Sequence, residues 1–139
     1  MNLTNECEPR FYVIVRNDLY SMTAGRAAAQ VSHAANHMVR TIEKSGNTLL
    51  KGYLEDWEKE TPQHFGTAIV LQAPYEELLA DMQYFKDFPS QEFTWAMTHD
   101  PEYSVQDGDW THIVPLDTCL WIFGNKYEIE NHIASYQLL

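Results

Sequence analysis

Phe11 to Val15 form an unbroken apolar run of β-branched and aromatic residues, the pattern of a strand buried on both faces. It stops at Arg16-Asn17-Asp18. Beyond Ser21 and Thr23, either of which can cap a helix start, Ala27, Ala28, Val31, Ala34, Ala35, Met38 and Ile42 recur every three or four residues and predict a long first helix. Ser45-Gly46-Asn47 ends it. Leu49 to Glu60 predicts a shorter helix with Leu50, Tyr53, Leu54 and Trp57 inward, Phe65 to Ala73 a second strand, and Pro74-Tyr75-Glu76-Glu77 the start of a helix reaching Phe88. Phe93 to Met97 and Thr118 to Phe123 read as strands three and four, and Gly124-Asn125 turns the chain into a last helix bearing Tyr127, Ile129, Ile133 and Tyr136.

Strands that alternate with helices require crossover connections, so the expected fold is an α/β three-layer domain: a four-stranded mixed sheet with helices on both faces. Val13, Ile14, Val70, Leu120 and Ile122 are its expected core. Thr98 to Pro115 is acidic and nearly free of aliphatics, and it reads as a long loop of the functional kind. Residues 1–10 read as a polar leader, and 11–139 as one domain.

The 139 residues suffice for one core, and 45% hydrophobic residues with 13% aromatics exclude a disordered chain. No apolar stretch reaches membrane-spanning length, and the polar, acidic N-terminus lacks the pattern of a secretory signal. Cys7 and Cys119 lack metal-ligand spacing and are expected to be free thiols, which points to a reducing cytoplasm.

A net charge of −11 argues against indiscriminate binding to nucleic acid. The charge is unevenly spread. Residues 1–53 hold six bases against four acids, whereas the rest hold three against sixteen, which leaves room for a basic face on an acidic body.

Familiar catalytic motifs are missing: there is no phosphate-binding glycine loop, no nucleophile elbow and no helical zinc motif. Cys119 sits in an apolar strand and reads as core. The acids and histidines of 98–115 match no metal-binding loop and read as solvated. On the first helix Arg26, Gln30, His33, His37 and Lys44 fall within an arc of roughly 60°, a polar stripe distinct from the apolar one. Ligands of open α/β sheets collect at the carboxyl ends of strands. Arg26 and Gln30 follow strand one and Asp100 follows strand three, so parallel strands one and three bring cation, amide and carboxylate to one sheet edge.

Tyr12-Val13-Ile14-Val15-Arg16-Asn17-Asp18-Leu19, then Met22, Gly25-Arg26-Ala27-Ala28-Ala29-Gln30 and His33-Ala34, resembles the signature of the type 2 peptidyl-tRNA hydrolases. Trp57-Glu58, Ala73-Pro74 and Thr111-His112-Ile113-Val114-Pro115 resemble later segments of that family, and the likeness spans about residues 11–136. It implies hydrolysis of the ester between peptide and tRNA with peptidyl-tRNA as partner, and without metal, cofactor or covalent intermediate. It assigns Arg26, Asp100 and Thr111 to catalysis, and Arg16, Asp18, Gln30 and His33 to substrate binding. Two departures stand out: Arg26 replaces the family lysine, and extra residues separate Asp100 from Thr111. A non-catalytic binding module and a small-molecule hydrolase that has lost tRNA are the alternative readings, and a homodimer stays open.

Overall fold

The computed structural model describes residues 6–139, so that half of the predicted leader, residues 1–5, lies outside the described residues. The elements are β1 (Pro9–Arg16), α1 (Ala24–Lys44), α2 (Thr48–Glu58), β2 (Ala68–Ala73), α3 (Tyr75–Asp87), β3 (Phe93–Asp107), β4 (Trp110–Asn125), α4 (Lys126–Ile133) and β5 (Gln137–Leu138). They form a mixed sheet of order β3-β4-β1-β2-β5. β1 pairs with β2 in parallel and with β4 in antiparallel fashion, and β3 pairs antiparallel with β4, so β1, β2 and β3 all point the same way.

The apolar run of β1 is central, and alternate residues face opposite layers. Phe11, Val13 and Val15 pack with Cys119, Trp121 and Phe123 under α1 and α2. Tyr12 and Ile14 pack with Leu71, Leu120 and Ile122 under α3 and α4, joined by Leu78, Phe85 and Ile129. The α/β class and its helices on both faces are therefore as expected. The strand count is five, one more than expected, because Gln137 and Leu138 pair with Gln72 and Leu71. A two-residue edge strand is too short to leave a hydropathy pattern.

Four other expectations change. The predicted loop over 98–115 is an antiparallel ribbon: β3 and β4 continue to the Asp107↔Trp110 pair and turn through Gly108, at φ 58°, and Asp109. A glycine with positive φ at the first turn position suits the twist of a two-residue hairpin, which is why no apolar signal was needed. The second strand begins at Ala68 rather than Phe65, which is 55% exposed. The leader gives way to strand at Pro9, and Asn125 donates to the Glu6 carbonyl at 3.1 Å. Tyr136 lies past the end of α4, its hydroxyl donating to Asp81.

Of the five expected core residues, Val13, Ile14, Leu120 and Ile122 are fully buried, but Val70 is half-buried. It lines an apolar cleft of about 650 Å³ between α1 and the C-terminus, with Met22, Ala28, Val31 and Leu139. Among the described residues, Cys7 and Cys119 are free thiols and no helix is long and apolar enough to cross a membrane.

Candidate functional site

The chain leaves β1 at Arg16 and enters α1 at Ala24, where Thr23 Oγ1 accepts from the Arg26 amide at 3.4 Å and caps the helix. This lays the first turns of α1 beside the carboxyl ends of β1 and β3. The helix meets β3 through Arg26 and Gln30, and β4 through Gln30 and His37.

Gln30 differs from its expected place on the exposed stripe. It is 3% exposed, at the border of the apolar side, and both ends of its amide are used: Nε2 donates to Asp100 Oδ2 at 2.7 Å, and Oε1 accepts from Thr118 Oγ1 at 2.7 Å. A buried amide is stable only when its donors and acceptor are met, and here the two partners also fix which way it points. Thr118 is fully buried inside the apolar run of β4. Its side chain reaches α1 because the ladder shifts there: Thr98 pairs with Cys119 but His99 with Asp117, leaving Thr118 as an extra residue. A second shift between Asp100 and Tyr103 places Pro101 and Glu102 out of step with β4. Bulges bend a strand and re-aim its side chains, and these two bracket the site.

Burial opposes ionisation of Asp100. The Gln30 bond, the Glu102 N–H donated to Oδ1 at 2.9 Å, and the nearby His33 and His99 outweigh it and hold the carboxyl below its ordinary range. Asp100 is thus a carboxylate at neutral pH, an acceptor with lone pairs to spare for water. His33 is exposed on α1 next to it. Its neighbour on the stripe, His37, accepts from Trp121 Nε1 at 3.1 Å through Nδ1.

Arg26 turns toward the ribbon. Its Nη1 donates to the Ser21 carbonyl at 3.0 Å and its Nε to Ser104 Oγ at 3.3 Å, while Ser21 Oγ meets the Tyr103 hydroxyl at 3.0 Å. The cation thereby ties α1 to β3 just past Asp100. Thr111 is not brought to this cluster. It is exposed near the ribbon tip, opposite Gln106, to which its hydroxyl donates at 3.1 Å. The ribbon carries it some 15 Å or more from Asp100. The insertion read from the sequence grew into a ribbon and took Thr111 with it.

Arg16 and Asp18, expected to touch substrate, bond to each other: Nε and Nη2 of Arg16 donate to the two carboxylate oxygens at 3.1 and 2.9 Å. Arg16 Nη1 also donates to the Asp117 carbonyl at 3.0 Å, next to the bulge, and its guanidinium lies 4.1 Å from the Tyr75 ring centroid. Arg16, chiefly through its hydrogen bonds, holds the Asp18 carboxyl below its usual range. Tyr75 donates to Asp117 Oδ2 at 2.7 Å, and His99 Nδ1 lies 2.8 Å from Asp117 Oδ1. Burial opposes the charge on Asp117, but these two partners and Arg16 hold its carboxyl low. The cluster pins β4 to β1 and α3 at the level of the bulge. Thr118, Asp117 and Tyr75 were not singled out from the sequence. A threonine in a strand run and a tyrosine in a first helical turn carry no motif, and only the ladder shift shows their use.

The geometry joins a fixed carboxylate on β3 to an amide, histidines and an arginine on α1, the helix whose first turns carried much of the resemblance. No curated protein matches the chain. The family model described as peptidyl-tRNA hydrolase PTH2 matches residues 10–139, which include every side chain of this site. With nearly the whole domain matched, from β1 to the last strand, the chain belongs to the PTH2 family of peptidyl-tRNA hydrolases.

Proposed function

We propose that this chain hydrolyses the ester joining a peptide to the terminal ribose of tRNA, with Asp100 holding and partly deprotonating the attacking water. The observation that supports this reading most is the Thr118–Gln30–Asp100 relay, both bonds 2.7 Å, which presents one ionised carboxylate in a fixed orientation. The water oxygen adds to the ester carbonyl carbon while Asp100 takes one of its protons; the carbon–ribose oxygen bond then breaks, and the proton passes to the departing ribose hydroxyl. Arg26, bonded through Nε and Nη1, keeps Nη2 for a phosphate or for the developing oxyanion. Thr118 and Gln30 position Asp100, and Arg16 with Asp18 positions the bulge. Thr111 has no part at the reacting carbon in this reading.

The RNA has a place that the acidic body leaves open. Arg26, His33, His37, Arg40 and Lys44 share one exposed side of α1, over roughly 27 Å of helix. The three cations of that row, Arg26, Arg40 and Lys44, suit the phosphates of a tRNA arm, and the two histidines add hydrogen-bonding groups between them.

Release of labelled peptide from peptidyl-tRNA by the purified protein tests the reading. The parent is expected to be active and Asp100→Asn to lose about 100- to 1000-fold in kcat, the usual effect of losing one group that acts in the transition state. Arg26→Lys keeps the cation and restores the family residue, so it is expected to match or exceed the parent. A folded parent with no turnover, or Asp100→Asn with full turnover, overturns the proposal. The displacement of Thr111 from Asp100 favours a second reading, a tRNA-binding module without turnover. Tight tRNA binding with no peptide release would be its signature.

A further inference from the structure

We propose that the free edge of β3 beyond Asp100 binds the peptide part of the substrate as an added antiparallel strand, reading backbone rather than side chains. This rests on the hydrolase reading above and says how that site accepts its substrate. β3 is the outermost strand of the sheet, and among the described residues no strand pairs with its outer side. Counting from the Asp107↔Trp110 pair that closes the two-residue turn, the backbone groups of Tyr103, Val105 and Asp107 face β4. Those of Ser104 and Gln106 therefore face outward. They offer two sets of N–H and C=O groups in line with Asp100, and an edge of this kind is a ready template for another extended chain.

Direction and length agree with the chemistry. The ester carbonyl must lie at Asp100, and the peptide leads from it toward its own N-terminus. Laid along the ribbon, it runs opposite to β3, which gives the antiparallel pairing. From Asp100 to Gln106 the strand spans about 15–20 Å, the reach of some five extended residues. An enzyme that must release peptides of any sequence gains from contacts to the one part that all peptides share.

Charge selects the occupant. Glu102 and Asp107 lie exposed on β3 and Asp109 in the turn at its end, with His112 Nε2 of β4 3.5 Å from the Asp107 carboxylate. Acids there repel phosphate, which leaves the RNA to the basic side of α1, and they suit a peptide with a cationic amino terminus. A second copy of this chain would bring the same acids opposite one another, at a net charge of −11 per copy.

The test compares kcat/KM for one-residue N-acetylaminoacyl-tRNA and for a pentapeptidyl-tRNA with the same C-terminal residue. The longer substrate is expected to be favoured about tenfold, in keeping with the net value of one or two backbone hydrogen bonds. Gln106→Pro deletes an outward N–H while leaving the β4 ladder intact, and is expected to abolish that preference; Gln106→Ala, which keeps the N–H, retains it. Independently of turnover, titrating the parent with a free pentapeptide amide is expected to slow hydrogen exchange at the Ser104 and Gln106 amides. If the parent hydrolyses no substrate, the hydrolase reading fails, and the exchange measurement alone decides whether the edge takes a peptide. Absence of that protection overturns the proposal, as does an unchanged preference in Gln106→Pro or an equal loss in Gln106→Ala. Sedimentation showing that the parent is a dimer and Gln106→Pro a monomer would assign the edge to a second copy.

Discussion

Replacing Gln30 by leucine, a residue of similar size, removes the middle of the relay and leaves both of its partners in place. Asp100 loses the 2.7 Å bond to its carboxylate, and the fully buried Thr118 hydroxyl keeps two long contacts, 3.4 Å to the Thr98 carbonyl and 3.9 Å to Cys119 Sγ. A hydrogen bond to a charged group contributes about 1.5–3 kcal/mol, and stranding a buried hydroxyl costs about 1–3 kcal/mol. Burying the leucine side chain offsets a kilocalorie or so, which leaves a net loss of about 2–4 kcal/mol. Adding Thr118→Val removes the stranded hydroxyl and should return about 1–2 kcal/mol, so the double-mutant cycle has a coupling energy well above the ~0.5 kcal/mol seen for unconnected sites. Urea unfolding followed by tryptophan fluorescence measures all four proteins. The folded carboxyl of Asp100 lies below its unfolded value, so its contribution is present above the ordinary carboxylate range and fades as pH falls through the folded value. Gln30→Leu should therefore flatten the acid limb of stability as well as lower the plateau. A loss under about 0.5 kcal/mol for Gln30→Leu, with Thr118→Val strictly additive, would show that no relay exists.

Arg16→Met takes the donors from Asp18 and from the Asp117 carbonyl, and is expected to cost roughly 2–3 kcal/mol near neutral pH. Because Asp18 is held low chiefly by Arg16, the parent loses that support as pH falls below about 4, and the variant loses less; urea midpoints at pH 7 and pH 3 check this. Gly124→Ala places a methyl group against the Glu92 carbonyl and Phe93 at a backbone φ of 154°, and should lower stability by about 3 kcal/mol, visible as a depressed melting temperature. An unchanged melt would mean that β3 does not start against that glycine.

The hydropathy pattern alone determined the order of helices and the main strands, since burial of β1 on both faces and the stripe on α1 are properties of local spacing. It also put Arg26, Gln30 and Asp100 near one sheet edge, because the carboxyl ends of parallel strands converge there whatever the loops do. Two kinds of information were out of its reach. The ribbon over 98–115 is held by backbone hydrogen bonds along a mostly polar stretch, and a backbone ladder leaves no trace in side-chain hydropathy. Gln30 lies where the polar and apolar sides of α1 meet, so helical angle alone could not say whether it meets water or the interior. What decided it was Thr118, which the ladder shift in β4 turns toward α1 so that a buried amide finds both a donor and an acceptor. The same pairing carried Thr111 away from Asp100: a residue's distance along a hairpin is set by register, which belongs to two strands at once and to neither sequence segment by itself.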